Sequence, residues 1–375
     1  MSGVTEFVNP GGSAAAVNVR DYLRGARGQH YEGWKVFLSG VLILLHAEYL
    51  PRTPRGIVEF FFGSKSVEIA RDAQFGPINP LSDPGAVLLF FLSIAIVLPI
   101  IAMVLLLVEK RDLGTLSSVK GRLRWGLFGK AVGLAAAIWG AHFLLRFFSG
   151  SPLAGLSSLI PQIVIILLAA PFHAIAIEYF FRGGTMQAFG AWGTPAWLAI
   201  IISTAFYSLI HIQYGVLAVI SAAVMGLCAC WLTIRTGGLE AAIGLHIVYN
   251  YALFGGALVF QSNPMVDQGS DWVSLVVLCL KILLFTAVAD WWLRQEIIRC
   301  EGQQLMTGAL KGPVGAFAEK PAPIAPAPTA SETPNFPAAP NAAPTPSGPP
   351  IAPPIALMPP VQNEYGRGQN GRGHQ

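Results

Sequence analysis

Long apolar runs alternate with short polar segments along this chain, and the pattern predicts a bundle of membrane-crossing helices. A bilayer core of about 30 Å requires roughly 20 apolar residues in a helix. Eight stretches approach that length, at about 34–50, 85–108, 127–148, 159–181, 196–212, 215–234, 239–260 and 272–293. The first is the least regular, because it contains His46 and Glu48. The predicted fold class is all-α: a polytopic membrane protein of about eight transmembrane helices.

Composition agrees with a membrane protein and excludes an ordinary cytosolic enzyme. Of the 375 residues, 53% are hydrophobic and 12% are charged, whereas soluble domains carry about 25% charged residues. The net charge of +4 is too small to indicate nucleic acid as a partner. Three of the four cysteines lie inside apolar runs, so a disulfide framework is not expected.

Charged residues between the predicted spans indicate an orientation. The loop between the second and third spans is strongly basic, with Lys110, Arg111, Lys120, Arg122 and Arg124. Basic loops stay on the cytoplasmic side. The loop between the seventh and eighth spans contains Asp267 and Asp271 and no Lys or Arg. We therefore expect a multi-pass protein of the cell membrane with both termini in the cytoplasm.

The chain is expected to divide into a membrane part and two flanking segments. The predicted parts are a cytoplasmic segment 1–33, N-terminal transmembrane helices 34–119 with an external loop 51–84, a membrane core 120–298 and a tail 301–375. More than half of the 28 prolines lie in the tail, so a disordered cytoplasmic tail is predicted. Its Pro-x-x-Pro spacings, as at Pro323 and Pro326, leave a tail-binding cytoplasmic partner as the alternative to a purely solvated segment.

Ionisable residues inside the predicted spans are candidates for function, because each costs about 2.5 kcal/mol or more in a bilayer. Glu178 and Arg182 are four residues apart in the fourth span, so their side chains can pair on one helix face. A purely structural ion pair is the alternative for these two residues. His211 ends the fifth span, where an isolated histidine is more often interfacial than catalytic.

The seventh span adds His246 and Asn250, again four residues apart. Their imidazole and amide lie on one helix face and can reach one small polar ligand. Counted from the cytoplasmic side, Glu178 is predicted at a depth of about 18 Å and His246 at about 10 Å. Because these depths overlap within the error of the span boundaries, a shared polar cavity inside the bilayer is predicted.

Three motifs on these spans resemble the CAAX prenyl protease and bacteriocin-processing (CPBP, or Abi) family of intramembrane proteases. The family pattern is Glu-Glu-x-x-x-Arg, then Phe-x-x-x-His, then His-x-x-x-Asn or His-x-x-x-Asp. This chain has Ile177-Glu178 followed by Arg182, then Tyr207 to His211, then His246 to Asn250. The resemblance covers roughly residues 120–295 and keeps the order and spacing of the motifs.

The resemblance implies hydrolysis of a peptide bond in a membrane-associated protein or peptide, in some members next to a prenylated cysteine. It assigns pairing with Glu178 to Arg182 and a role in activating water to His211. His246 and Asn250 are implied to stabilise the oxyanion of the tetrahedral intermediate. Tyr207 in place of Phe keeps an aromatic ring.

Ile177 replaces the first Glu of the pattern, which the resemblance implies is the residue that activates water. Loss of a general base typically lowers a rate by about 10²–10⁴-fold. One hypothesis is therefore a protease with weak or altered chemistry, in which His211 serves as the base. The second is a catalytically dead relative that acts as a membrane-binding, immunity or scaffold protein. A secondary transporter is less favoured, because no inverted repeat relates the two halves.

No cofactor and no tightly bound metal are expected. His211 and His246 are two good zinc ligands, but catalytic zinc sites need a third protein ligand. His173 lies four residues before Ile177, on the same helix face. A zinc held by His173, His211 and His246 is therefore the alternative, and it would supply the water activation that Ile177 cannot.

Overall fold

The computed structural model describes residues 22–27, 31–49, 52–75, 79–150, 159–264 and 271–311. Within these ranges the secondary structure is helical, and β structure is limited to the isolated bridge between Ser118 and Gly238. Most of the predicted N-terminal segment and the Pro-rich tail from residue 312 onward lie outside the described residues. The side chains of His46 and Glu48 also lie outside them.

Helices follow the predicted apolar runs closely. The named helices are α1 (Gly33–Tyr49), α2 (Arg52–Phe62), α3 (Ser64–Phe75), α4 (Pro84–Glu109), α5 (Trp125–Phe148), α6 (Ile160–Ala191), α7 (Ala196–Leu209), α8 (Val216–Thr236), α9 (Glu240–Val259) and α10 (Trp272–Lys311). A single turn at Gly114–Ser117 interrupts the basic loop between α4 and α5. Two short helices, α2 and α3, therefore occupy most of the segment predicted as an external loop.

Six helices of the described part are long and apolar enough to cross a membrane: α4, α5, α6, α8, α9 and the first 26 residues of α10. This confirms the all-α, multi-pass class. Two of the eight predicted spans are shorter, because α7 has 14 residues and α1 has 17. The helix α10 continues to Lys311, which lies inside the segment expected to be tail. The division into segments and the orientation of the termini stay predictions.

The central helix of the bundle is α9. Of its apolar membrane-crossing segment, 67% is buried, which is the highest share among the six long helices of the described part. Helices α5, α6 and α8 pack around it, α4 packs on α6, and α10 packs on α5 and α8. Small residues allow this close packing, because interfaces between membrane helices depend on van der Waals contact rather than on hydrophobic exclusion. Gly244 of α9 faces α5, where an added Cβ would lie 3.0 Å from the Cβ of Ala131.

A buried ion pair fixes the ends of three helices on the side of the basic loop. Glu240, 1% exposed, accepts hydrogen bonds from the backbone N of Arg124 at 2.8 Å and from its guanidinium Nε and Nη2 at 2.8 and 2.7 Å. The same Nη2 donates to the carbonyl of Thr236 at 2.9 Å. Arg124 precedes α5, Thr236 ends α8 and Glu240 begins α9, so this contact holds the three helices in register.

Helices α6 and α9 both change from α to π geometry next to candidate site residues. In α6 the π segment is Tyr179–Thr185, which includes Arg182, and in α9 it is Tyr251–Gly255. These two π segments thus begin one residue after Glu178 and one residue after Asn250. A further π segment, Leu105–Glu109, ends α4 away from these residues. Such segments are rare in helices and frequent at functional sites.

Replacing Gly244 by leucine is expected to lower the midpoint of thermal unfolding. Overpacking a close contact costs about 1–3 kcal/mol, and α9 cannot move away from α5 without displacing His246. The matched control is Gly133→Leu in α5, because Gly133 is exposed and an added Cβ there meets nothing within 4 Å. Thermal unfolding of both variants in detergent checks this, and equal midpoints for the two would contradict it.

Candidate active site

Glu178 is the centre of a buried polar contact between α6 and α9. Its Oε1 accepts from Arg182 Nη1 at 3.1 Å and from His246 Nδ1 at 2.6 Å. All three residues are at most 2% exposed. The pairing of Glu178 with Arg182 is the one that their four-residue spacing predicted. The contact with His246 was not predicted, because the two residues are 68 positions apart.

The contact with Glu178 determines which nitrogen of the neutral His246 ring carries the proton. An ionised carboxylate can only accept hydrogen bonds, so His246 Nδ1 carries the proton. In the neutral ring Nε2 is then a free lone pair, and in the protonated ring it becomes a second donor. A carboxylate that holds one ring nitrogen also fixes the orientation of the other.

Arg182 makes a second contact, with an aromatic ring. Its guanidinium carbon lies 4.3 Å from the ring centroid of Tyr207 on α7, within the range of a cation–π interaction. Its Nε and Nη2 have no hydrogen-bond partner among the described residues. The aromatic ring at position 207 therefore helps to hold the cation that neutralises Glu178.

His211 lies just beyond α7 rather than inside it. The predicted fifth span extended to residue 212, whereas α7 ends at Leu209 and a short 3₁₀ turn follows at Ile212–Tyr214. The Nδ1 of His211 is 2.9 Å from the carbonyl oxygen of Tyr207. Because a carbonyl accepts, Nδ1 is the donor, and Nε2 of the neutral ring is left as the basic nitrogen.

Most of the candidate residues line one cavity. It has a volume of about 60 Å³, which is enough for several water molecules, since one requires about 10–15 Å³. Its polar lining side chains among the described residues are His173, Tyr207, His211, Tyr214, Ser221, His246, Tyr249 and Asn250. Glu178 and Arg182 do not line it. The expectation that one cavity would serve all the polar groups is therefore corrected: the ion pair lies behind the cavity wall, where His246 covers it.

Asn250 offers a free donor to this cavity. It is 4% exposed, and its Nδ2 has no hydrogen-bond partner in the described part of the chain. An unpaired buried amide is costly, and groups of this kind call for an explanation such as a bound water or a catalytic role. Asn250 lies one helical turn after His246, so both side chains face the same cavity.

Ile177 lines the same cavity and is 6% exposed. The position at which the resemblance expects a carboxylate thus carries an apolar side chain that faces His211 and His246. No Asp or Glu occurs among the described residues that line the cavity. Among the described lining side chains, the candidates for a base that activates water are therefore the histidines, since a neutral imidazole is a stronger base than a neutral phenol.

His173 also lines the cavity, but its ring packs between aromatic side chains. It is stacked on Phe90 at 5.5 Å and meets Phe91 edge-on at 5.4 Å between centroids. Its ring centroid is 6.4 Å from that of His246. No three His, Cys, Asp or Glu side chains of the described ranges are grouped closely enough to hold a metal ion. The residues present therefore do not fit a zinc site, and the absence of a metal cofactor stays a prediction.

The helices and the cavity define a multi-pass membrane protein with a histidine- and amide-lined site buried among its spans. Residues 158–252 match the family model described as Rce1-like, type II CAAX prenyl endopeptidase Rce1-like. The predicted family is thereby confirmed for this segment, which includes Glu178, Arg182, His211, His246 and Asn250. No curated protein and no solved structure matches the chain.

Proposed function

We propose that the protein is an intramembrane endopeptidase of the CAAX type, which hydrolyses a peptide bond in a membrane-associated substrate. The observation that carries this proposal is that His211, His246 and Asn250 line the same cavity, with His246 Nδ1 held by Glu178 Oε1 at 2.6 Å. The family match of residues 158–252 supports the reaction class. The substrate class extends to proteins cleaved next to a prenylated cysteine.

His211 is the proposed general base. Its Nδ1 is held by the Tyr207 carbonyl, so Nε2 is the nitrogen available to the cavity. That nitrogen removes a proton from a water molecule while the water oxygen bonds to the carbonyl carbon of the substrate. The proton on His211 is then transferred to the leaving amine, whose bond to the carbonyl carbon breaks. His211 returns to its neutral form.

His246 and Asn250 are the proposed oxyanion donors. Asn250 Nδ2 has no partner within the described residues and is free to donate to the oxygen that becomes negative. His246 can donate from Nε2 when its ring is protonated, and Glu178 stabilises that cation through Nδ1. Loss of one oxyanion donor typically lowers a rate by about 10²–10³-fold. Arg182 acts through Glu178 and is a positioning residue.

Ile177 also supports a second candidate function, that of a catalytically dead relative. The side chain lines the cavity at the position expected for the base. A cavity of this kind could bind a membrane peptide without hydrolysing it, as in an immunity, chaperone or scaffold protein. The two functions differ in whether the wild-type protein cleaves anything.

Substituting Ile177 by glutamate separates these two functions. If His211 already serves as the base, the wild type cleaves a peptide substrate delivered in membranes, and Ile177→Glu changes the rate little. Ile177→Gln is the matched control, because it has the same size and polarity without the charge. Cleavage is measured on purified protein in lipid vesicles. An inactive wild type that gains cleavage with Glu and not with Gln would establish the dead relative instead.

We also propose an orientation in the membrane and the partners of the protein. The basic loop before α5 supports a cytoplasmic location for that side of the bundle, and hence for both termini. The lipid bilayer and a membrane-associated protein or peptide are the proposed partners. Hydrolysis is proposed to use no metal, because the cavity supplies a base and two donors from its own side chains.

A further inference from the structure

An apolar groove lies between α5, α6 and the π segment of α9, apart from the cavity of the candidate site. It has a volume of about 250 Å³ and shares none of its described lining residues with that cavity. Phe143, Ile163, Ile166, Leu167, Tyr251, Gly255, Gly256 and Val259 line it. None of these residues is charged, and the Tyr251 hydroxyl already donates to the carbonyl of Leu167 at 2.9 Å. We call this space the lateral groove.

Two consecutive glycines leave the lateral groove open. Gly255 and Gly256 have ordinary helical φ angles of −67° and −63°, so other residues would fit their backbone. An added Cβ at either position would meet nothing within 4 Å. Helices in membranes otherwise pack closely against their neighbours. The glycines thus preserve a space that a single larger side chain would fill.

The basic side chain of Arg146 lies next to the lateral groove, near the end of α5. Arg146 is two residues before that end, and its guanidinium lies 4.4 Å from the ring centroid of Phe260. Phe260 in turn packs on Phe143, a lining residue of the groove, at 5.1 Å between centroids. The cation and the apolar space are therefore in contact through two aromatic rings.

Two further basic residues join Arg146, and together we call the three the basic cluster. His142 is one turn earlier on α5, and Lys281 of α10 has its ammonium 5.5 Å from the ring centroid of Trp139. His142 interacts electrostatically with Arg146 and Lys281, and these two interact with each other. None of the three forms an ion pair with a described carboxylate.

Arg146 and Lys281 have no carboxylate partner among the described ion pairs, so an anion beside them is favoured. Arg146 lies in the last turn of α5, and Lys281 is about 14 Å from the start of α10, from where its long side chain can reach toward the polar boundary. Charges inside spans usually pair with one another or with a ligand. A negatively charged group at the lipid headgroup level, attached to an apolar chain, matches both the basic cluster and the groove beside it.

We propose that the lateral groove and the basic cluster bind one anionic phospholipid. One acyl chain lies in the groove along Gly255 and Gly256, and the headgroup phosphate accepts hydrogen bonds from Arg146, with the Lys281 ammonium and an N–H of the His142 ring as further donors. This site goes beyond the proposed peptidase, because none of the residues named for the groove and the basic cluster is among those that line the cavity of the candidate site. It can exist whether or not the protein cleaves peptides.

The charge requirement is tested by native mass spectrometry of the full chain in detergent, titrated separately with phosphatidylglycerol and phosphatidylcholine. The wild type is expected to retain one phosphatidylglycerol in preference to phosphatidylcholine. Arg146→Gln should reduce that preference by about fivefold, the effect of one charge at the membrane surface, whereas Arg146→Lys should keep it. Arg122→Gln is the matched control, because it removes one exposed charge on the opposite side of the bundle. Equal retention of the two lipids by the wild type would overturn the proposal.

The apolar part of the site is tested by filling the groove. Gly256→Leu should abolish retention of phosphatidylglycerol while leaving thermal unfolding nearly unchanged, and Gly133→Leu adds the same bulk elsewhere as a control. If Gly256→Leu fails to fold, Gly256→Ala should give a smaller loss of retention. Undiminished retention in a folded Gly256 variant would contradict the proposal. Retention of a neutral isoprenoid alcohol in place of the phospholipid, unaffected by Arg146→Gln, would assign the groove to an isoprenoid chain instead.

Discussion

Replacing His246 by alanine is expected to lower peptide cleavage by at least about 10²-fold, the effect of removing one oxyanion donor. The loss should exceed this, because the variant also leaves the Glu178 carboxylate without the ring that separates it from the cavity. The measurement is the cleavage rate of a membrane-delivered peptide by purified protein in vesicles. Val248→Ala is the control, since Val248 is buried in the same helix and does not line the cavity.

The Glu178→Gln variant tests the charge of this carboxylate separately. A glutamine can still accept a hydrogen bond from Nδ1 of His246, but it does not stabilise a protonated ring. The proposed mechanism predicts a lower kcat with little change in KM for that variant, as expected for an interaction made in the transition state. A His246→Ala protein that is folded and cleaves at the rate of the wild type would refute the assignment of this cavity as an active site.

The features of the fold that depend on local physics could be predicted from the sequence. Apolar runs predicted the long spans, since every backbone group in a bilayer must be paired within its own helix. The four-residue spacing predicted the Glu178–Arg182 contact, because residues so spaced are neighbours on a helix. The predicted length of α7 was too large, because hydropathy does not show where a helix ends. Ile210 and Ile212 are apolar, yet they lie outside the regular helix.

Contacts between distant helices could not be predicted in the same way. Nothing in spacing or hydropathy relates Glu178 to His246, or Arg124 to Glu240, because these pairs depend on how the helices pack. The buried position of the Glu178–Arg182 pair behind His246 follows from that packing. It changes the interpretation of Glu178 from a group lining the shared cavity to one that determines which nitrogen of the His246 ring carries a proton. No role was predicted for Glu240. Its position as an acidic residue in the first turn of an apolar helix is the sequence feature that could have indicated a buried ion pair.

The fully buried ion pair of Glu178 and Arg182 behind the cavity predicts that loss of Arg182 strongly destabilises the fold. Glu178 and Arg182 are both 0% exposed, and removing one partner of a buried pair typically costs about 3–5 kcal/mol, since the other charge stays buried. Arg182→Leu is therefore expected to lower the free energy of unfolding, measured in mixed micelles, by about 3 kcal/mol or more.

The partly exposed pair Arg235–Asp290 provides the comparison for this effect. Its side chains are 29% and 22% exposed, so Arg235→Leu should cost much less, about 1 kcal/mol. The double variant Arg182→Leu with Glu178→Leu should be more stable than Arg182→Leu alone, because it leaves no unpaired carboxylate in the core. If instead Arg182→Leu costs no more than Arg235→Leu, then Glu178 is neutralised by something other than Arg182.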